Sequence, residues 1–134
     1  MQTILPVGFH AFHKNQFLNL QFNRWFSEGY TRLEDLKKAA ASIKTPADSK
    51  TAFTSLAEEA LRENRLKNAA FYYRAAEFLT KPSDPDKARL YDAFHDTFYL
   101  AFKDDQIQSH KVPCGAGFLS AMRLAPEGEK KGTV

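Results

Sequence analysis

Apolar residues recur at helical spacing through most of this chain, and that periodicity constrains its fold more than any other feature. From Asn15 to about Lys103 they fall three or four positions apart, which places them on one side of successive α-helices. Helix-breaking residues at Gly29, Pro46 and Lys81–Pro85 interrupt the pattern. The sequence therefore predicts five helices, over roughly residues 15–30, 31–42, 49–64, 66–79 and 85–103.

The pattern changes after Asp105. Residues 106–112 are extended in character, Pro113–Gly117 is a predicted turn, and apolar residues alternate from Phe118 to Ala125. A polar stretch at 126–133 predicts a second turn. We expect a mainly α fold, with a five-helix domain over residues 1–104 and a β-hairpin over residues 105–134. Because an isolated hairpin is only marginally stable in water, we interpret it as the beginning of a larger sheet that is truncated in this chain.

The first helix carries the clearest candidate pocket. Phe17, Phe22 and Trp25 lie on its apolar half, and Gln21 falls among them. A polar amide surrounded by aromatic side chains either finds its hydrogen-bond partners inside a core or faces a pocket. We interpret this helix as one that lies over a pocket, with these four residues as candidates for contact with a substrate.

The second helix has a predicted start signal. Thr31 and Glu34 stand at the spacing of a capping box, in which Thr31 is the N-cap and Glu34 reaches back to its backbone N–H.

The fourth helix places a carboxylate on an apolar face. Glu77 falls in the middle of a stripe of small residues, and an unpaired buried carboxylate is costly. Arg62, Arg65 and Arg74 are the predicted partners. We expect a structural ion pair, with a functional acid as the alternative.

The fifth helix carries a histidine within its apolar arc. His95 has Asp92 one turn before it and Tyr99 one turn after it, a trio that could position a proton-transfer group. A histidine at a helix edge, hydrogen-bonded but without a role in proton transfer, is commoner than such a trio. His95 and Tyr99 complete the set of pocket candidates. The arc predicted to be buried contains Leu90, Tyr91, Phe94, Phe98, Ala101 and Phe102.

The remaining histidine and cysteine residues do not form a predicted metal site. His10 and His13 stand three residues apart, but no nearby carboxylate or cysteine completes a ligand set, so we expect an aromatic N-terminal arm that docks on the helices. Cys114 is the single cysteine, which excludes an internal disulfide; we interpret it as a turn residue, with a reactive thiol as the alternative. We expect neither a metal nor a cofactor.

Charge and composition narrow the function classes. The net charge is +3, but basic and acidic residues are mixed along the helices, so we expect no nucleic-acid surface. The sequence shows no signal peptide and no apolar run long enough to span a bilayer, so we expect no membrane partner and a cytoplasmic location. It also lacks a G-x-S-x-G elbow, a Gly-rich phosphate loop and an H-E-x-x-H motif. We therefore assign no catalytic residue in this chain.

Three helical segments and the hairpin after them carry a family resemblance. The segments are FNRWFSEGY (Phe22–Tyr30), AAFYYRAAEFL (Ala69–Leu79) and AFHDTFYLAF (Ala93–Phe102). Their order resembles the N-terminal end of a group of α/β hydrolases that includes the 2,6-dihydroxypseudooxynicotine hydrolases and the fermentation-respiration-switch esterase-like proteins. Members begin with a helical cap, followed by an antiparallel hairpin, a polar turn and the first central strand, which leads to a Gly-rich oxyanion loop.

The resemblance implies that this chain is the substrate-selecting cap and the first strands of a serine hydrolase. The Ser-His-Asp triad, which would cleave an ester, amide or C–C bond, would lie downstream of Val134. The implied partner is a small-molecule substrate, bound together with the hydrolase core. Exposed aromatic surface on such a cap could equally form a homodimer face.

A tetratricopeptide-like protein-binding module without catalysis is the alternative. The stretch Leu56–Leu79 resembles one tetratricopeptide helical hairpin, with alanines at the crossing positions. Such repeats recur about every 34 residues and at least three are usual, whereas one hairpin is persuasive here. The terminal β-hairpin discriminates between the two, because a repeat array has no use for it.

Overall fold

A computed structural model describes residues 5–105, 107–125, 128–129 and 132 of the chain. In chain order its elements are α1 (Gln16–Ser27), α2 (Leu33–Ser42), α3 (Asp48–Arg62), α4 (Leu66–Leu79), α5 (Asp86–Ala101), β1 (Ile107–Cys114) and β2 (Gly117–Leu124). The predicted mainly α fold, with helices followed by a hairpin, is confirmed. The chain divides into two compact units, one that ends at Ala101 and one that begins at Phe102.

Helix α1 begins and ends where its sequence specifies. The side chain of Asn15 accepts a hydrogen bond from the backbone N–H of Leu18, which satisfies one of the unpaired donors at the helix start. Gly29 follows the helix with φ of 76°, in the left-handed region that favours glycine after a helix end.

The segment before α1 docks on the helices, as predicted for the N-terminal arm. The side-chain amide of Asn23 accepts from the backbone N–H of His10 at 2.7 Å and donates to the His10 carbonyl at 2.8 Å. The ring of His10 meets Phe26 edge to face, with 5.0 Å between centroids. His13 places Nε2 2.9 Å from the carbonyl of Ile43, while its Nδ1 accepts from the N–H of Asn15. Both ring nitrogens of His13 are thus occupied.

Helix α4 lies between α3 and α5 and forms the centre of the helical unit. Helices α3 and α4 cross closely, and both carry fully buried alanines, whose small side chains allow backbones to approach: Ala57, Ala60, Ala69 and Ala76. Phe22, Phe53, Tyr72 and Leu90 fill the core around this crossing. Burial of each such large side chain stabilises the fold by about 1.5–3 kcal/mol.

A buried polar network joins α2 to α4. The hydroxyl of Tyr72 donates to Oδ2 of Asp35 at 2.7 Å and accepts from the backbone N–H of Arg32 at 3.1 Å. Arg65 pairs with the same carboxylate oxygen at 3.0 Å. Burial raises the pKa of the Tyr72 hydroxyl far above its usual range, and the hydrogen bond to Asp35 acts in the same direction. Tyr72 is therefore a fixed donor and acceptor at every ordinary pH.

Two local predictions are wrong, and one helix ends slightly earlier than its approximate predicted bound. Thr31 is not an N-cap: α2 begins after Arg32, and the Thr31 hydroxyl is buried without a hydrogen-bond partner. Tyr91 was expected in the buried arc of α5, but its side chain is 51% exposed. Helix α3 ends at Arg62 rather than Asn64, and Asn64 adopts φ of 56°, a left-handed conformation that asparagine tolerates.

The hairpin is tighter than predicted. Strands β1 and β2 pair antiparallel, from Ile107 opposite Leu124 to Cys114 opposite Gly117, so only two residues form the turn. The first of them, Gly115, has φ of 57°, as the common two-residue turns require. Pro113 and Cys114, expected in the turn, belong to β1. The polar turn predicted after Ala125 lies largely outside the described residues.

We expect Tyr72→Phe to lower the free energy of unfolding by about 1–3 kcal/mol, because it removes a buried donor from Asp35 and a buried acceptor from Arg32. Urea denaturation measures the change. Tyr91→Phe is the matched control, since that hydroxyl lies on an exposed side chain, and it should change stability by less than about 0.5 kcal/mol. Equal effects of the two variants would contradict the network's role.

Candidate functional site

An aromatic cleft of about 250 Å³ lies between α1 and α4, and Phe94 of α5 closes one side of it. The α1 side of the cleft is lined at helical spacing by Gln21, Arg24 and Trp25 of the helix and by Glu28, the C-cap residue that follows it. The α4 side is lined in the same way by Phe71, Arg74 and Phe78. The cleft is therefore bounded by two facing helix surfaces, each with aromatic and charged side chains.

The cleft exists because α1 and α4 do not pack closely. Among these fully described helices, no Cα atom of α1 comes within 8 Å of a Cα atom of α4. The indole of Trp25 fills part of the gap, since its ring meets Phe53 of the core at 5.3 Å and 86°. The same ring also meets Phe78 at 6.3 Å and 90°. Trp25 thus belongs to both the core and the cleft wall.

Gln21 also lines the cleft and is nearly buried, at 9% exposed. It lines the aromatic cleft and also a shallower groove of about 390 Å³ beside the N-terminal arm, together with Phe9 and Leu20. A nearly buried amide at the junction of two concavities can offer a hydrogen bond to a ligand in either one. Of the six residues predicted to contact a substrate, the structure brings Gln21 and Trp25 together in the aromatic cleft.

The four other pocket candidates lie elsewhere. Phe22 is fully buried in the core, and Phe17 is 53% exposed on another side of α1. Leu20, one turn from Phe17, is exposed as well, so these two side chains offer apolar surface to a second copy of the chain. The predicted homodimer stays a prediction. His95 and Tyr99 pack ring against ring at 4.8 Å on α5.

The predicted trio around His95 is not the observed one. Nδ1 of His95 lies 3.2 Å from Oδ1 of Asp96, the next residue in the chain, rather than beside Asp92. The His95 side chain is exposed, and so is that of Asp96. An exposed imidazole next to an exposed carboxylate lacks the enclosure that tunes a proton-transfer group. The prediction that His95 lies in the buried arc of α5 is wrong.

Glu77 forms the expected ion pair, and a second cation, which was not predicted, pairs with the same carboxylate. Arg74 donates from Nη1 to Oε2 of Glu77, and Lys87 of α5 pairs with Oε1 at 2.7 Å. Arg65, another predicted partner, pairs with Asp35 and Glu63 instead. The nearly buried carboxylate therefore holds α4 and α5 together and also fixes Arg74 at the edge of the cleft.

The sequence contained a signal for the α4 wall of the cleft. Phe71 and Phe78 lie on the side of the predicted fourth helix opposite its small-residue stripe, and Arg74 stands between them at helical spacing. Phe71 stacks on Tyr30 with 3.9 Å between centroids, which fixes its ring from behind. Which helix faces this second surface depends on the tertiary fold, so periodicity alone did not identify the cleft.

A larger groove of about 420 Å³ lies between α2 and α3. Its lining is mostly small and hydroxyl side chains, and the ion pair of Lys38 with Glu59 belongs to it. Aromatic side chains with a few convergent polar groups are typical of ligand sites, and none of the described residues that line this groove is aromatic. We therefore identify the smaller, aromatic cleft as the candidate site.

Metal ligands do not cluster in the described part of the chain, where no group of three or more His, Cys, Asp or Glu side chains could hold an ion. Cys114 is a free, exposed thiol on β1. No α-helix among the described residues combines the length and apolar character that crossing a bilayer needs.

We expect Glu77→Gln to lower the free energy of unfolding by about 1–3 kcal/mol, because it leaves Arg74 and Lys87 without their shared counter-charge. Thermal or urea denaturation measures the change. Glu34→Gln, at a largely exposed residue that pairs loosely with Arg32, is the control and should be nearly neutral. A neutral Glu77→Gln would show that the ion pair is not structural.

In comparisons with known proteins, no protein-family model and no curated protein matches this chain.

Proposed function

We propose that this chain is the substrate-selecting cap of a serine α/β hydrolase. The observation that supports the proposal is the cleft lined by Gln21 and Trp25 on a helical unit that precedes a β-hairpin. A cap must offer a concave, mostly apolar surface with a few fixed polar groups, and this cleft has that composition. The order of helices and hairpin is also the order of the hydrolase group that the sequence resembles.

In this proposal the chain contributes selection and the hydrolase core contributes chemistry. A serine of the core attacks the substrate carbonyl, a histidine moves the proton, and backbone N–H groups stabilise the oxyanion. The cap encloses the substrate, excludes water and discriminates by shape. Trp25 and Phe78 contact the apolar part of the substrate, and Gln21 offers it a hydrogen bond.

The coding region tests the proposal directly. We expect it to continue past codon 134 into an apolar strand, a Gly-rich loop and, later, a G-x-S-x-G elbow. The 134-residue chain by itself should not hydrolyse p-nitrophenyl esters, because it contains no nucleophile elbow. A stop codon directly after Val134, without a hydrolase chain that assembles with this one, would rule the proposal out.

Two exposed aromatic residues provide a matched test in the complete enzyme. Phe78 is 43% exposed and lines the cleft, whereas Tyr91 is 51% exposed and lies outside it. We expect Phe78→Ala to raise KM about tenfold, since about 1.4 kcal/mol of apolar contact with the substrate is lost. Tyr91→Ala should leave KM unchanged. Melting temperatures of both variants separate a binding defect from unfolding.

Equal KM values for the two variants would show that the cleft does not contact the substrate. Trp25→Ala is a poorer test than Phe78→Ala, because Trp25 also packs against Phe53 and its removal opens a hole in the core.

A tetratricopeptide-like binding module is the second candidate, and the α3–α4 crossing favours it. Buried alanines on both helices bring the two backbones together, the arrangement that such helical hairpins use. In that case the cleft would bind a peptide rather than a substrate enclosed by a core. The coding region discriminates, because a repeat protein would continue into further helical hairpins instead of a strand and an oxyanion loop.

A further inference from the structure

We propose that the cleft between α1 and α4 binds a planar aromatic carboxylate, with Arg74 donating to the carboxylate oxygens. This inference deepens the proposed function by naming the ligand class of the same cleft. Only the statement that this ligand is a substrate rests on the proposed function. Binding itself can be measured without a hydrolase core.

The walls of the cleft fit a flat ring. Trp25, Phe71, Phe78 and Phe94 all line it, and the indole of Trp25 stands perpendicular to the ring of Phe78. Aromatic rings pair favourably when they stack with an offset or meet edge to face, so these walls prefer an aromatic guest to an aliphatic one. An apolar cavity of about 150 Å³ holds benzene. The cleft, at about 250 Å³, has room for one ring and a carboxylate.

Arg74 is held in a fixed orientation at the edge of this space. Its guanidinium carbon lies 5.7 Å from the ring centroid of Phe78 and 5.9 Å from that of Phe94. Within the described residues, it donates one N–H, to Glu77. A guanidinium group has five N–H donors in a planar fork, a geometry that matches a carboxylate. Arg74 therefore has donors left for a ligand.

The charges around Glu77 leave one positive charge uncompensated. Lys87 donates to Oε1 of Glu77 at 2.7 Å, to the Glu77 carbonyl at 2.7 Å and to the Thr80 carbonyl at 3.1 Å. All three N–H groups of Lys87 are thus used at the C-terminal end of α4. Glu77 carries a single negative charge against two cations, and of the two only Arg74 lines the cleft and has donors to spare.

The opposite lip of the cleft does not cancel this charge. Arg24 and Glu28 form their own pair there, with Nε of Arg24 3.4 Å from Oε1 of Glu28. Gln21 is the uncharged polar residue of the lining and can accept or donate one hydrogen bond to a ring substituent. The site as a whole combines aromatic walls with one excess positive charge, and a planar aromatic anion satisfies both.

Binding to the 134-residue chain tests the inference, with Trp25 as the reporter. Trp25 is the single tryptophan, so its indole N–H gives one assignable signal in a ¹H–¹⁵N correlation spectrum. Benzoate, benzamide and cyclohexanecarboxylate are titrated in turn. Benzamide has the shape of benzoate without its charge, and cyclohexanecarboxylate has the charge without the aromatic ring. We expect benzoate to shift the Trp25 signal with a Kd at least about tenfold lower than that of either analogue.

Two variants assign the preference to Arg74. Arg74→Gln should bring the Kd of benzoate to within about twofold of that of benzamide, because the charge-assisted hydrogen bonds are lost. Arg89→Gln is the matched control: Arg89 lies on α5, pairs with Asp86 and does not line the cleft, so the preference should survive. If Arg74→Gln does not fold, Arg74→Met replaces it, because it keeps an unbranched apolar side chain while removing the charge, and it should lose the benzoate preference in the same way.

Three results would overturn the inference: equal affinity for benzoate and benzamide, a benzoate preference that survives the Arg74 substitution, or no saturable shift with any of the three ligands. None of them bears on the hydrolase proposal, which the coding region and the KM of Phe78→Ala decide separately.

Discussion

The close packing of α4 against α3 is the interaction on which the rest of the helical unit depends. Fully buried alanines on the two helices, among them Ala60 and Ala69, remove side-chain bulk, so the backbones approach closely and one face of α4 is committed to α3. With that face fixed, the other side of α4 must present Phe71, Arg74 and Phe78 to whatever lies across from it. The position of the cleft is thus a consequence of small residues that are not in it.

Two polar clusters then hold the neighbours of α4 in place. Tyr72 connects α4 to the start of α2 through Asp35 and Arg32, while Glu77 connects it to α5 through Lys87. Each cluster centres on a nearly buried carboxylate that is held by two donor groups, an arrangement that tolerates few alternatives. The second has an additional effect, because the same carboxylate that binds α5 also orients Arg74. One glutamate therefore both joins two helices and sets the orientation of a cleft residue.

The sequence predicted what is local and failed where long-range contacts decide. The bounds of α4 were predicted correctly because helical spacing and its flanking breakers depend only on neighbouring residues. The start of α2 was not: Arg32, whose N–H donates to the Tyr72 hydroxyl 40 positions away, has an extended backbone (φ −96°, ψ 144°), so the helix begins one residue later than a Thr31 cap requires. Two of the eight residues that line the cleft, Gln21 and Trp25, followed from the apolar face of α1. The wall on α4 required knowing that α4 lies opposite α1.

The wide spacing between α1 and α4 has a consequence for dynamics. One wall of the cleft is locked into the core by backbone packing, while the other, α1, meets α4 only through side chains such as Trp25 and Phe78. Elements with few close backbone contacts open at lower free energy than the core, so the amides of α1 should exchange with solvent before those of α4. The cleft can then widen or narrow by a small displacement of α1, and it can accommodate guests of different thickness without disturbing the α3–α4 crossing.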